Sequence, residues 1–229
     1  FSADRQIEPD SLAQGLLKKL SDLGVVVREN TSIGRFVRSG DSVTAVVTSD
    51  AEVITTDALV ISAGVPSGTL ARHLGQSIPI YSGKGYSIDY SPAPIQLRTS
   101  LTLEDARVAV TPLNGMLRLA GTMEFGSTDD NVNEVRVDAI RRAAQEAFAG
   151  WGDGRGEMAP WAGSRPMTPD GLPVIGRLDS VKNAFINSGH SMLGLTLAPG
   201  SARLLAGLMT DGSSTLPDEL LARVSPNRF

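Results

Sequence analysis

The segment Asp57-Ala-Leu-Val-Ile-Ser-Ala-Gly64 constrains the fold most, because an unbroken apolar run here ends in a turn of small residues. An apolar run without alternation is typical of a strand buried on both faces, as in the parallel sheet of an α/β domain. Small residues at the end of such a strand allow another group to approach the backbone closely. By itself, Ala63-Gly64 also fits an ordinary turn. The segment therefore predicts a sheet covered on both sides and leaves the purpose of the turn open.

Residues 76–162 have a different pattern, in which apolar and polar residues alternate over segments joined by tight turns. Alternation of this kind predicts strands with one covered face, and turn residues such as Asn114-Gly115 predict antiparallel connections. A helix is predicted from Val132 to Ala149, because its apolar residues recur at helical spacing. This region is therefore predicted to be a broad antiparallel sheet backed by a helix.

The flanking regions predict further helices and strands. Leucines at helical spacing predict a helix from Asp10 to Leu23, and the short β-rich pieces from Val25 to Ile54 predict the strands of a small antiparallel meander. A second apolar helix is predicted from Leu197 to Asp211. The predicted fold class is therefore a mixture of α/β and α+β parts.

Composition excludes several classes of function. Lys and Arg number 21 against 25 Asp and Glu, and the charges are interspersed, which argues against a nucleic-acid-binding surface. The chain has no cysteine, so it has no disulfide, no thiolate metal site and no cysteine nucleophile. His73 and His190 are the only histidines in the sequence, and we therefore predict no metal site.

Two linked motifs near the C-terminus carry a resemblance to a known family. They are Gly163-Ser-Arg165-Pro-Met-Thr-Pro-Asp170-Gly171 and Gly189-His190-Ser-Met-Leu-Gly194-Leu-Thr196. Together they resemble the C-terminal part of the D-amino-acid oxidase/dehydrogenase superfamily of FAD-dependent flavoproteins, and most of all its bacterial D-amino-acid dehydrogenases. The resemblance implies a discontinuous, Rossmann-like FAD-binding domain, of which residues 1–75 and 163–229 are the remaining parts. Residues 76–162 would form the substrate-binding domain.

Flavoenzymes of this kind hold the FAD pyrophosphate with a strand, a GxGxxG turn and a helix. The segment Gly154-Arg-Gly156-Glu-Met-Ala159 fits that spacing, but it does not follow a strand, and Pro160 would break the required helix. We therefore expect this chain to correspond to the C-terminal portion of such an enzyme. In isolation it should bind FAD poorly.

Arg165 is the predicted ligand of the substrate carboxylate. A guanidinium can hold a carboxylate through two parallel hydrogen bonds, and the following proline fixes the direction of the strand end. The alternative is a structural ion pair with an acid such as Asp170 or Glu157. Tyr86, in the family-like sequence Lys84-Gly-Tyr-Ser-Ile88, is a possible substrate contact or, equally, an ordinary residue of an amphipathic strand.

The predicted cofactor contacts are mainly backbone groups beside glycines. The resemblance implies non-covalent FAD binding, with Ile33 beside the adenine, although FAD could be absent from this chain. Glycines ahead of a helix expose N–H groups that could stabilise the reduced flavin, and His190 is assigned an orienting role. The residues assigned to FAD are Ile33, Ala63, Gly64, Gly189, His190, Ser191, Met192, Leu193, Gly194, Leu195 and Thr196.

The implied activity is oxidative deamination of D-amino acids to 2-oxo acids, with hydride transfer from Cα to FAD and a quinone or oxygen as the final acceptor. The alternatives are a glycine- or sarcosine-type amine oxidase, and a non-catalytic fragment or subunit that lacks the dinucleotide-binding half. We expect a cytoplasmic protein, with attachment to the inner face of a membrane as a variant of that expectation. We also expect self-association, or pairing with the missing half, through residues 57–64 and 197–209.

Overall fold

The computed structural model describes residues 5–127 and 129–229, and within these the chain divides into two compact units. The first unit contains residues 5–30, Lys84–Met123 and Asp129–Gly163. The second contains Thr31–Gly83, residues 124–127 and Ser164–Phe229. In the described part of the chain, no helix is both long enough and apolar enough to cross a bilayer.

The first unit is built on a five-stranded sheet with the strand order β6-β7-β8-β5-β9. Strands β6 and β7 are antiparallel, as are β7 and β8, which the tight turn at Asn114-Gly115 connects. End residues of β5, β8 and β9 fall within the bounds of the second unit. The strands are β5 (Tyr81–Tyr90), β6 (Leu101–Leu103), β7 (Val108–Leu113), β8 (Met116–Phe125) and β9 (Trp161–Met167).

Helix α3 (Glu134–Ala147) supplies the other side of this unit's core. Its side chains at Val137, Ile140 and Ala144 are fully buried with Tyr86, Leu117 and other apolar residues of the sheet. A Cβ added to Gly121 would lie 3.2 Å from Ile140 Cγ1, which shows how closely the helix approaches β8. The predicted antiparallel sheet backed by a helix is confirmed.

Helix α1 (Pro9–Asp22) begins where Glu8 accepts hydrogen bonds from the backbone N–H groups of Asp10 and Ser11. None of its residues is buried, although its leucines share a face as predicted. The preceding Gln6 bonds to Ser100 and Pro112 of the first unit. Residues 5–30 therefore group with the first unit, whereas the resemblance assigns them to the FAD-binding domain. Residues 1–4 of that predicted domain lie outside the described residues.

The second unit begins with the predicted meander, a three-stranded sheet in the order β1-β2-β3. Its pairs are antiparallel. The strands are β1 (Ile33–Ser39), β2 (Ser42–Thr48) and β3 (Val53–Thr55). Asn183 joins this meander to the next sheet, because its side chain bonds to both backbone groups of Val43 and to the carbonyl of Asp57.

The second sheet of this unit is mixed, with the order β10-β11-β4. Strand β11 is parallel to β4 and antiparallel to β10. Val174 and Ile186 pack on one face with α2 residues, while Ile175 and Phe185 pack on the other with α4. The sheet is therefore covered on both sides, as in an α/β domain. The elements are β4 (Leu59–Ile61), α2 (Ser67–His73), β10 (Val174–Arg177), β11 (Ala184–Ser188), α4 (Gly194–Thr210), α5 (Asp218–Val224) and a terminal 3₁₀ turn (Pro226–Arg228).

Two local predictions are wrong. Residues 25–28 are not a strand, because no strand of the described residues pairs with them. Strand β4 is not buried on both faces, because Ile61 is buried but Val60, which points to the opposite face, is 39% exposed. Helix α4 also begins at Gly194, three residues before the predicted start.

Candidate cofactor and substrate site

The turn after β4 lies beside the end of β11. Gly64 has φ +65°, a conformation that glycine adopts without strain, and its carbonyl accepts a hydrogen bond of 3.0 Å from Ser188 Oγ. The Ala63 N–H donates to Ser67 Oγ at 3.0 Å, at the start of α2. The predicted pair Ala63 and Gly64 is thus fixed by two buried serines that sequence reasoning missed.

The two C-terminal motifs meet at Gly189. A Cβ added there would lie 2.8 Å from Thr168 Cγ2, and Gly189 has φ +76°, so no other residue fits without movement. The Ser191 N–H donates to the Pro166 carbonyl at 3.0 Å. The residue after Arg165 is therefore bonded directly to the predicted cofactor loop.

This loop leads into the N-terminus of α4, which has no side-chain cap. The first N–H groups of a helix have no acceptor within the helix, and they carry the positive end of its dipole. Met192, Leu193 and Leu195 next to them are exposed, with 69%, 54% and 53% of their surface accessible. The helix start thus combines N–H groups that favour a negatively charged or carbonyl group with an exposed apolar surface.

His190 contacts helix α4 through its side chain. Its Nε2 lies 2.9 Å from Ser201 Oγ, and the side chain is half-buried. Burial lowers the pKa of His190, so the ring is neutral at pH 7. A neutral ring bonded to a helix serine fits the orienting role predicted for it.

Arg165 lies near the end of β9, and its guanidinium is half-buried. Burial lowers the pKa of Arg165 from its ordinary value, but an arginine remains charged. The two acids considered as structural partners are held by other arginines. Asp170 pairs with Arg228 at 2.7 Å, and Glu157 pairs with Arg141 at 2.6 Å.

The remaining predicted site residues are Tyr86 on β5 and Ile33 on β1. Tyr86 is fully buried in the core of the first unit, with the Lys84 ammonium 5.6 Å from its ring centroid. Ile33 is the first residue of β1 and is 41% exposed. Their contacts with substrate and adenine stay predictions.

The segment with GxGxxA spacing has a different explanation. No helix follows Gly154 and Gly156; the next regular element is β9. A Cβ on Gly156 would lie 2.4 Å from the Pro92 carbonyl oxygen. The glycine is therefore needed for packing of this loop.

Comparison with known proteins identifies the family. Residues 1–208 match the family described as DAO, FAD dependent oxidoreductase. The chain is 37% identical over 214 residues to a D-amino acid dehydrogenase of Methylobacterium radiotolerans, a match that covers 91% of this chain and 50% of that protein. It is 36% identical over 209 residues to a D-amino acid dehydrogenase of Vibrio cholerae, covering 89% of this chain and 48% of that protein. The chain spans about half the length of these curated relatives.

Solved structures agree on the fold. Glycine oxidase from Geobacillus kaustophilus superposes with a TM-score of 0.84 at 25% identity, covering 95% of this chain and 57% of that one. L-proline dehydrogenase from P. horikoshii gives a TM-score of 0.84 at 21% identity, covering 96% of this chain and 59% of that one. The motifs around Arg165 and Gly189, the fold and the sequence relationship agree, and the chain belongs to the DAO family of FAD-dependent oxidoreductases.

Proposed function

We propose that this chain supplies the C-terminal part of an enzyme that oxidatively deaminates D-amino acids to 2-oxo acids. Relatives that are 35–38% identical are named D-amino acid dehydrogenase, which favours this substrate class over glycine or sarcosine. The observation that carries the proposal is the direct bond between the two family motifs, from the Ser191 N–H to the Pro166 carbonyl. It links the residue that follows the proposed substrate arginine to the loop that leads into α4.

The residues around α4 fit a flavin. Within the part of the chain that the structure describes, Ser191 Oγ and Asn187 Oδ1 are buried without a hydrogen-bond partner. Such burial costs roughly 1–3 kcal/mol for each group unless a ligand or further partner satisfies it. The uncapped amides of Gly194 to Thr196 suit the electron-rich end of a flavin ring. The exposed Met192, Leu193 and Leu195 suit its apolar surface. In our proposal, residues 63–64 and 189–196 hold FAD, and Ile33 lies near its adenine.

Arg165 orients the substrate in this proposal. A half-buried guanidinium attracts a carboxylate more strongly than an exposed one, because less solvent screens the charges. Two parallel N–H···O bonds also fix the orientation of the bound amino acid. The substrate Cα then has a defined position, which is the main catalytic contribution that we assign to this side chain.

Bound FAD supplies a two-electron acceptor for the Cα hydride of the substrate. Loss of the hydride from a neutral amine gives an imino acid, which reacts with water to form a 2-oxo acid and ammonia. No acid or base of this chain is required once the amine is neutral. The amides at the start of α4 contribute electrostatically, since they favour negative charge beside them.

Complementation with the remaining half of a relative tests this proposal. The part of the Methylobacterium radiotolerans protein that lies outside the match would be co-expressed with this chain, and the complex assayed for bound FAD. We expect reduction of an artificial electron acceptor that depends on a D-amino acid, with equal release of 2-oxo acid and ammonia. A flavin-loaded complex that oxidises only glycine or sarcosine with oxygen would instead support the amine oxidase alternative. A complex without FAD would support a non-catalytic role.

In that complex, Arg165→Lys should lower kcat/KM for D-amino acids by an amount equivalent to about 2–4 kcal/mol, because lysine cannot bind a carboxylate through two parallel bonds. Flavin content should stay unchanged. Arg72→Lys, on an exposed part of α2, is the matched control and should leave kcat/KM unaltered. Normal kinetics in Arg165→Lys with full flavin content would show that Arg165 does not bind substrate.

A further inference from the structure

Arg228, in the last turn of the chain, forms a bidentate ion pair with Asp170, and the proposed site gives this pair no role. Arg228 Nε donates to Asp170 Oδ2 at 2.7 Å, and Nη2 donates to Asp170 Oδ1 at 3.0 Å. Nη2 also donates to the Leu172 carbonyl at 3.0 Å, and Nη1 to the Ser225 carbonyl at 2.9 Å. The Arg228 side chain is 12% exposed. One guanidinium thus holds both the side chain and the backbone of a single turn.

The 3₁₀ turn that carries Arg228 is held in place by other residues. Asn227 Nδ2 donates to Asp179 Oδ1 at 2.8 Å, and Gln76 Nε2 donates to Asn227 Oδ1 at 2.7 Å. Pro226 is buried against Gly176, where a Cβ would lie 3.1 Å from Pro226 Cδ. The contacts of Pro226 and Asn227 therefore fix the backbone that carries Arg228. These contacts do not involve the guanidinium of Arg228, so its removal leaves them in place.

Contacts within the 168–172 turn connect Asp170 to Gly189 in the proposed cofactor loop. Asp170 Oδ1 accepts a hydrogen bond from the Leu172 N–H at 3.1 Å. Thr168 Oγ1 donates to the Leu172 carbonyl at 2.8 Å, the same carbonyl that Arg228 binds. The Thr168 methyl group is the atom against which Gly189 packs, at a point where no Cβ fits.

We propose that Arg228 is a positioning residue of this site: by holding Asp170 and Leu172 it fixes the 168–172 turn, and this turn sets the Gly189–Ser191 loop. The inference rests on the proposed function only in that FAD is taken as the group that the Gly189–Ser191 loop binds. The conformation of this loop depends on residues of this chain alone. Arg228 itself contacts neither substrate nor cofactor in this proposal.

Hydrogen exchange of backbone amides in the 229-residue chain tests the proposal without any ligand. The variants are Arg228→Lys, which keeps the charge but loses the bidentate geometry, and Asp170→Asn, which keeps an acceptor for the Leu172 N–H. Arg72→Lys, at an exposed position of α2 in the same unit, is the matched control. Amides of β11 report whether the second unit stays folded, because that strand is paired on both sides.

We expect the amides of Leu172 and Ser191 to exchange about tenfold faster in both variants, because the 168–172 turn loses the charged, bidentate partner that holds it. The β11 amides should accelerate less than those of Ser191, by no more than the loss of global stability that urea unfolding of the same variant measures. Unchanged exchange at Ser191 overturns the proposal, and so does an acceleration at β11 equal to that at Ser191, which would make the pair a general stabiliser.

Flavin content of the complemented enzyme separates this inference from the proposed function. If the parent complex binds FAD, Arg228→Lys should lower its FAD affinity while Arg72→Lys should not. Equal affinity in all three would overturn a role in positioning the cofactor loop. If the parent complex binds no FAD, the proposed function fails. The exchange result at Ser191 still decides whether Arg228 orders the loop.

Discussion

Helices α1 and α3 have the same length of 14 residues and similar apolar spacing, yet they differ completely in burial. Helix α3 buries Val137, Ile140, Ala143 and Ala144 against the five-stranded sheet. Helix α1 buries nothing, and Leu16 on its apolar face is 55% exposed. Helical spacing of apolar residues thus predicts a helix and its apolar face, but it does not predict whether another element covers that face.

Ion pairs on the five-stranded sheet and on α1 differ in burial in the same way as the two helices. Asp89 on β5 binds Arg118 through two bonds of 2.7 and 2.8 Å, and the Asp89 side chain is 12% exposed. On α1, Lys18 and Asp22 form a single 3.0 Å pair in which both side chains are more than half exposed. An interaction acquires energetic weight where neighbouring residues exclude water.

The largest effect should come from a cavity on the covered helix. Ile140→Ala is expected to lower the free energy of unfolding by about 2–5 kcal/mol, because the side chain is fully buried and close to Gly121. Leu16→Ala on α1 should stay within about 0.5 kcal/mol of the parent chain. Urea titrations of both variants measure the difference. A loss of similar size in both would mean that α1 packs against a partner in solution.

The next effect concerns the covered ion pair. Asp89→Asn should lower the free energy of unfolding by roughly 2–3 kcal/mol, since it leaves Arg118 partly buried without its charged partner. Asp22→Asn on α1 should show no change beyond measurement error. If Asp89→Asn also unfolds like the parent, desolvation of the two charges offsets their attraction, and the covered pair has no greater weight than the exposed one.

Much of the fold could be predicted from periodicity and turn residues. The alternation in residues 76–162 predicted the sheet, and the spacing of Val137, Ile140 and Ala144 predicted the face of α3 that is buried. The wrong strand at residues 25–28 shows the limit of this reasoning. An apolar run such as Val25-Val26-Val27 indicates a strand only if a second strand is available to pair with it.

The site was predictable where a glycine or a motif marks it, as at Gly64 and Gly189. Arg228 could not be found in this way, because its partner Asp170 lies 58 residues away in sequence. Nothing in the local sequence of either residue indicates the other. Ser67 and Ser188 were missed for the same reason, since their roles depend on which turns the fold brings together.

Uncovered apolar surfaces should also make chains associate. We propose that the chain self-associates, or pairs with a complementary half, through residues 57–64 and 197–209, where Val60 lies on an open sheet edge. Light scattering at tens of micromolar should give more than one chain per particle. Val60→Lys should weaken association about tenfold, and Leu16→Lys is the comparison for the α1 surface. A monomeric parent chain would contradict the proposal.

The smallest measurable effect should come from the ion pair of Asp170 with Arg228. The Asp170 side chain is 36% exposed, which lies between 12% for Asp89 and 51% for Asp22. The Arg228 guanidinium lowers the pKa of Asp170 from 3.8 to about 2. Because the folded pKa lies below the unfolded one, the stabilisation is complete above pH 3.8 and is lost as the pH falls towards 2. The Asp170 side chain is 36% exposed, so solvent screening reduces the contribution to about 1 kcal/mol.

Urea unfolding of the parent chain and Asp170→Asn at several pH values between about 6 and 2.5 measures this contribution. The difference in free energy of unfolding should be constant at the upper end and should shrink below about pH 4, where the carboxylate becomes protonated in the unfolded chain. A difference that stays constant down to the lowest pH would show that the Asp170 charge does not stabilise the fold. The ion pair with Arg228 would then contribute as little to the free energy of unfolding as the exposed pair on α1. Its hydrogen bonds would not be shielded from water strongly enough to stabilise the 168–172 turn.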